Sequence, residues 1–279
     1  MKDQIREPLV LALDTSTASL AAALVRGRET LGSVQSLAER NHSVETVSKL
    51  KALLDESGVP PDKLDGIVIG RGPGSYTGMR IAVSVGKTLA WAWNKPLVGV
   101  SSLESLAYGA RQAHASQFAG NKATGRPDWF VPIMDARRGQ VYTAAFASNA
   151  AGGWSRLAED GVRLMHQWVD RLDEMSRDAA AGEEPARIWI IGDLTLHEAE
   201  GMRLQSISAE GGSKCEVRLQ PFTMEGSSVA VLGAIRLEAG ESDDVHSFVP
   251  NYTQLAEAEV KLLQKSRERE ANPDDGNRA

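Results

Sequence analysis

The stretch LVLALDTSTASLAAALV, residues 9–25, decides how the rest of the chain is read. Leu9 to Leu13 is a short apolar run ending on Asp14, Thr15 to Thr17 is a polar turn, and Leu20 to Val25 resumes the apolar run. Runs of this length bounded by turn residues predict strand, tight turn and strand. The pattern returns later: Val131 to Met134 ends on Asp135, the turn Ala136, Arg137, Arg138 and Gly139 follows, and Val141 to Ala147 is β-rich. Two copies of strand, Asp, turn and strand predict a duplicated, two-lobed α/β fold.

Between the copies, Asn41 to Ser57 carries Val44, Val47, Leu50 and Leu54 at helical spacing, with Ser43 as a cap and Gly58 and Pro60 as stop signals. Leu64 to Ile69 predicts a buried strand, and the turn Gly70, Gly72, Gly74 feeds a helix from Thr77 to Trp93, ended by Asn94 and Pro96. Leu97 to Val100 reads as a strand and Leu103 to Ala115 as a helix, before the Gly, Asn and Pro-bearing boundary stretch Gly120 to Pro127. Ser148 to Gly161 and Met175 to Pro185 read as loops, Ile188 to Ile191 as a buried strand, and Lys261 to Ala279 as a charge-dense stretch whose last dozen residues are expected to be disordered. The expected division is a first lobe over residues 1–103, a second over 104–250 and a charged tail over 251–279.

Composition narrows the function classes. The 279 residues are 42% hydrophobic and 24% charged, which suits a globular protein with one or two cores and opposes disorder or a coiled coil. Net charge is -6 with no long Lys or Arg block, so any RNA contact is expected only through a partner. Cys215 is the one cysteine, Met1 to Glu7 lacks the apolar core of a signal peptide, and every apolar run is too short to span a bilayer. The expectation is a cytoplasmic protein without membrane contact.

In actin-like phosphotransferases an Asp at a strand end and an open glycine-bearing hairpin hold metal and phosphates, because only bare backbone approaches phosphate oxygens closely. Here Ser16 occupies the first turn, and Ala136, Arg137 and Arg138 would fill the second. The nucleotide site is therefore expected to be degenerate. Asp14, Ser16, Asp135, Arg137 and Arg138 are candidates for vestigial phosphate binding, with weak nucleotide binding left open and no cofactor required. The competing reading makes Asp14 and Asp135 acceptors in Asx-type turns.

Other chemistry finds little support. Gly86, Lys87 and Thr88 mimic the end of a P-loop, but Ile81 stands where its first glycine belongs, and the Gly70 to Gly78 turn has no lysine in the required place. That turn, preceding a helix, either binds an anion through free amides or simply permits a tight connection. His42, His114, His166, His197 and His246 form no close pair, so no metal site is expected. A G-x-S-x-G elbow is absent and Cys215 has no catalytic motif around it, which reads as an inert thiol.

The Thr77 to Trp93 helix has a ridge of small residues, Gly78, Ala82, Gly86 and Ala90, beside Ile81, Val85, Leu89 and Trp93. Its apolar arc is roughly 200° wide, beyond the ~100° that a one-sided surface helix needs. Two uses fit: a docking surface completed by the Asn41 to Ser57 helix, or a central helix covered by the same chain. The candidate partner interface is Val44, Val47, Leu50, Leu54, Gly78, Ile81, Ala82, Val85, Gly86 and Leu89.

The run from Gly72 to Ile81, GPGSYTGMRI, resembles the signature of the TsaB (YeaZ) family of tRNA threonylcarbamoyladenosine biosynthesis. Leu11 to Thr17, Arg40 to Ser43, Asp135 to Tyr142, Pro250, Tyr252 and Glu257 to Glu259 extend the resemblance over most of the chain. It implies a two-lobed actin-like (ASKHA, ribonuclease H-like) fold and a non-catalytic dimerization subunit. Such a subunit pairs with a TsaD-like catalytic subunit, which transfers threonylcarbamoyl to N6 of the adenosine next to the anticodon in tRNAs reading ANN codons, and is joined by a TsaE-like ATPase. The family's partner contact, a bundle of two N-lobe helices from each subunit, maps onto Asn41 to Ser57 and Thr77 to Trp93. A homodimer is expected when the partner is absent. Extra material is expected between Ala115 and Trp129 and between Ser148 and Arg187. The rival readings are an actin-like small-molecule kinase and, last, a peptidase.

Overall fold

The computed structural model describes residues 7–37, 42–114, 125–149, 151–210 and 215–253, without the side chains of residues 37 and 42–44. Asn41 and Glu257 to Glu259 lie outside the described residues, as do the tail beyond residue 253 and most of the Gly120 to Pro127 stretch.

Strands β1 (Leu9–Asp14) and β2 (Ser19–Arg26) form the expected hairpin, with Asp14 opposite Ala21. A third strand, β3 (Glu29–Leu37), pairs antiparallel with β2; its Gly32 and Ser33 give it a weak apolar signal. Strands β4 (Gly66–Gly70) and β5 (Leu97–Val100) add in parallel on the other side of β1, giving the order β3-β2-β1-β4-β5. The second sheet contains β6 (Asp128–Asp135), β7 (Gln140–Ser148), β8 (Trp154–Leu164), β9 (Arg187–Gly192) and β10 (Glu216–Pro221), in the order β10-β9-β6-β7-β8. Counted from β6 as its first strand, the second sheet repeats the first: an antiparallel meander of three, then two parallel strands beside the first. The fold is a two-lobed α/β architecture with the same five-stranded sheet order in each lobe.

Helices α1 (His42–Glu56) and α2 (Tyr76–Ala92) pack on one face of the first sheet. Alternation along β1 decides which residues meet them. Leu9, Leu11 and Leu13 join Leu50, Leu53, Leu54, Ala82 and Val83, while Val10 and Ala12 face the other way. That second face meets α3 (Ser102–Ala113) and α6 (Gly226–Glu238) in a core that also takes Phe130, Phe146 and Trp189 from the second sheet. Helices α4 (Met165–Asp178) and α5 (Glu198–Glu210) cover the outer face of the second sheet over Val131, Ile133, Ile188 and Ile190.

Three expectations are corrected. Trp154–Leu164 is a strand where a loop to Gly161 was expected; only Trp154 to Glu159 alternate between half-buried and exposed, and Arg156, Asp160, Gly161 and Arg163 at half-buried positions hide the strand signal. Met175 to Asp178 is the last turn of α4 rather than the start of a loop. Helix α6 packs on β1, β2, β4 and β5, so this late segment belongs to the first lobe and not to a second lobe running to residue 250. The chain then stays with that lobe, because Asn251 N donates to Arg71 O at 2.7 Å.

Candidate functional site

The first candidate centre is built at the top of β1. Asp14 is fully buried, and its Oδ1 accepts from the backbone N and the Oγ of Ser16, each at 2.6 Å. Its Oδ2 accepts from Ser102 Oγ at 2.5 Å, and Ser102 Oγ in turn accepts from Gly72 N at 3.0 Å. A Cβ at Gly70 would overlap the carboxylate, one at Gly74 would overlap Ser16 O, and one at Gly78 would overlap Thr15 O. The glycines of the 70–78 turn thus let the chain's own backbone close over Asp14. Burial pushes the Asp14 carboxyl above its ordinary value of 3.8, opposed by the hydrogen bonds from Ser102 and Ser16. The arrangement matches the Asx-turn alternative, with a clamp from α3 that the sequence did not indicate.

The second centre is the β6–β7 turn. Asp135 Oδ1 accepts from Arg137 N at 3.1 Å and lies 3.1 Å from Nε2 of buried His197. Arg137, Arg138 and Gly139 all have positive φ, at 66°, 53° and 69°. Gln140 N donates to Arg137 O at 2.9 Å, closing the turn. Asp135, Arg137 and Arg138 are exposed, so the two guanidinium groups stand at the tip rather than in a closed cradle. Among the described residues no group of three His, Cys, Asp or Glu side chains could hold a metal ion.

The third candidate is the α1–α2 face. Leu50 and Leu54 are buried against the first sheet, and the ridge Gly78, Ala82, Gly86 points the same way. A Cβ on Gly86 would overlap the Ile69 side chain. The close approach that this ridge permits is therefore to β1 and β4 of the same chain, which corrects its assignment to a partner's backbone. What remains outward is Val47, 51% exposed, with half-buried Ile81, Val85 and Leu89. The side chain of Val44 lies outside the described residues. Between the two helices runs a groove of about 570 Å³ whose walls include Val47, Leu54, Val59, Pro61, Leu89 and Trp93. Sequence reasoning put Trp93 on the apolar arc of α2 but outside the candidate interface, and missed Val59 and Pro61, because the loop that forms this wall has no periodicity of its own.

Cys215 is buried with its thiol pushed up to about 12 by burial, as befits an inert thiol. No helix among the described residues is long and apolar enough to cross a membrane.

Comparison with known proteins follows this geometry. Residues 25–262 match the family described as TsaD, tRNA N6-adenosine threonylcarbamoyltransferase. The tRNA threonylcarbamoyladenosine biosynthesis protein TsaB of Bacillus subtilis (strain 168) is 33% identical over 258 residues, 92% of this chain and 99% of that protein. The protein of the same name from Escherichia coli (strain K12) is 28% identical over 204 residues, 69% of this chain and 83% of its own length. The crystal structure of a Pseudomonas aeruginosa protein described as similar to peptidase YeaZ superposes with a TM-score of 0.64 at 23% identity, over 88% of this chain and 100% of that one. The duplicated sheets, the turn built on Gly72 to Gly78 and near full-length similarity to named relatives agree: the chain belongs to the TsaB (YeaZ) family, within the wider TsaD family.

Proposed function

We propose that this protein serves tRNA threonylcarbamoyladenosine biosynthesis as a non-catalytic scaffold. In this reading it pairs with a TsaD-like catalytic subunit and a TsaE-like ATPase, meets tRNA only through that complex, and works in the cytoplasm. The observation that carries the reading is the outward α1–α2 surface, where Val47 is 51% exposed beside an apolar groove of about 570 Å³. Exposed apolar surface of this kind marks an association site, and a groove between two helices accepts the helices of a similarly built subunit. The supporting observation is the closure of Asp14 by Ser16 and Ser102, which leaves that carboxylate committed to hydroxyls and amides of its own chain. The scaffold acts by binding the active arrangement of its partner more tightly than the inactive one.

The test is threonylcarbamoylation of tRNA by a TsaD-like and TsaE-like pair with and without this chain, beside ATP hydrolysis by this chain alone. Modification that depends on the chain, with no hydrolysis by the chain itself, is the expected result. ATP turnover by the isolated chain with tRNA modification unchanged would replace the scaffold by a small-molecule kinase. Val47→Asp is expected to weaken pairing ~30-fold or more, about 2 kcal/mol, because it places a charge in an apolar contact. The monomer should keep its fold, since Val47 is outside the core.

A further inference from the structure

A cavity of about 800 Å³, lined by no residue of either aspartate turn or of the α1–α2 groove, lies between α3, α6 and the start of β8. Five arginines line it, Arg28, Arg71, Arg111, Arg156 and Arg236, against a single carboxylate, Glu104. Glu104 is already engaged: it accepts from Arg156 Nη2 at 2.9 Å and from Trp154 Nε1 at 3.0 Å. Arg156 also pairs with Asp160 at 2.6 Å, and Arg236 pairs with Glu241 at 2.7 Å. Arg28, Arg71 and Arg111 have no ion-pair partner among the described residues.

Arg71 and Arg111 each have a fixed point in the fold. Arg71 is anchored at its backbone, where its N donates to Val100 O at 2.9 Å and its O accepts from Asn251 N at 2.7 Å. The Arg111 guanidinium sits 5.9 Å from the Tyr108 ring centre and 5.7 Å from that of Trp154. Its Nη2 donates to Gly152 O at 3.4 Å, and its other donors have no hydrogen-bond partner among the described residues. With Arg156 neutralised by Glu104 and Asp160, and Arg236 by Glu241 and Asp243, the three guanidinium groups left without an ion pair supply the positive charge of this concavity.

We propose that this cavity binds a small molecule bearing a diphosphate or triphosphate group, held by Arg28, Arg71 and Arg111. Guanidinium forks match phosphate oxygens two at a time and stay charged at any physiological pH. The volume lies in the range of small-ligand sites. A long RNA backbone is the less fitting occupant, because the positive groups converge on one hollow rather than running along a surface and the chain as a whole is acidic. The site rests neither on the scaffold reading nor on the aspartate turns, none of whose residues line it.

The experiment is calorimetric titration of the full chain with inorganic pyrophosphate and with ADP, with adenosine as the uncharged control. Both phosphates should bind, adenosine should not, and affinity should fall as salt rises. Arg71→Ala and Arg111→Ala should each weaken binding about tenfold, the scale of one lost charge-assisted contact, while leaving the unfolding midpoint nearly unchanged. Arg138→Ala should leave the affinity unaltered. The proposal is overturned by any of four results: no binding at millimolar pyrophosphate, equal affinity in the Arg71 and Arg111 variants, loss of binding in Arg138→Ala, or tighter binding of an RNA duplex than of pyrophosphate.

Discussion

Ser102 Oγ donates to Asp14 Oδ2 at 2.5 Å, joining the first residue of α3 to the last residue of β1 across 88 positions of sequence. Together with Ser16 it surrounds a carboxylate that is fully buried and whose affinity for a proton is raised by that burial. The folded chain therefore holds the Asp14 proton more tightly than the unfolded chain does. This stabilisation is fully present below the ordinary value of 3.8 and is lost as pH rises through the elevated folded value. Asp14→Asn, which keeps the shape and cannot ionise, is expected to remove this part of the pH dependence and to match or exceed the parent in stability near neutrality. Urea unfolding midpoints measured from acid to neutral pH check this, and a constant loss of stability at every pH would count against the account.

That clamp also shows what the sequence could and could not reveal. The strand runs, both aspartates and the α1 and α2 helices were legible because each is a local pattern of period 2 or 3.6. Asp14 was legible as a turn acceptor for the same reason, since Ser16 lies two residues away. Ser102 and His197 were not, because their partners stand 88 and 62 residues distant and only the folded topology brings them together. The small-residue ridge was seen in the right place, with a partner and the chain's own core both left as its neighbour, and the structure gives it the core. A helix with an apolar arc of roughly 200° faces both sheet and solvent, and spacing alone does not say which side the glycines take.

The ridge yields a test that separates core from surface on one helix. Gly78→Ala would drive a methyl group into Thr15 O, a backbone atom that cannot swing aside, and Thr15 Oγ1 already donates to Gly78 O at 2.6 Å. Overpacking of this kind costs ~1–3 kcal/mol. Trp91, on the same helix and 69% exposed, can become Ala within about 0.5 kcal/mol. Denaturant melts of the two variants check the contrast, and equal losses would mean that α2 does not sit on β1 as described.

The Arg187 and Asp128 pair should be far more sensitive than the surface ion pairs. Arg187 Nε and Nη2 meet the two carboxylate oxygens at 2.9 and 2.8 Å, and the two side chains are only 11% and 3% exposed. Removing one partner strands the other charge inside the protein, so Arg187→Met should cost ~3–5 kcal/mol. Arg171→Ala, which breaks an exposed pair with Glu174, should cost ~0–1 kcal/mol. A chemical denaturation series checks both values.

Cys215 offers a chemical probe of the second lobe. With its thiol pushed up to about 12 by burial, almost none is thiolate at neutral pH, and only the thiolate is alkylated at a useful rate. Iodoacetamide should label the native chain much more slowly than the same chain in denaturant. Rapid native labelling, read by mass spectrometry, would show that the core beneath β9 and β10 opens readily.

The β6–β7 turn makes the last prediction. Arg138 is held at a φ of 53°, in the left-handed region that costs an L side chain ~1–2 kcal/mol, and its exposed side chain has no ion-pair partner among the described residues to offset that cost. Arg138→Gly relieves the strain but loosens the unfolded chain, two effects of opposite sign, so the net gain should be a few tenths to ~1 kcal/mol. The same change would open the turn towards the glycine-bearing form that accepts phosphates. Thermal melts and ATP titrations on one preparation therefore answer two questions. A gain in stability with no gain in ATP affinity is the expected pair of results, because Asp14 at the β1–β2 turn stays closed by Ser16 and Ser102 whatever Arg138 becomes.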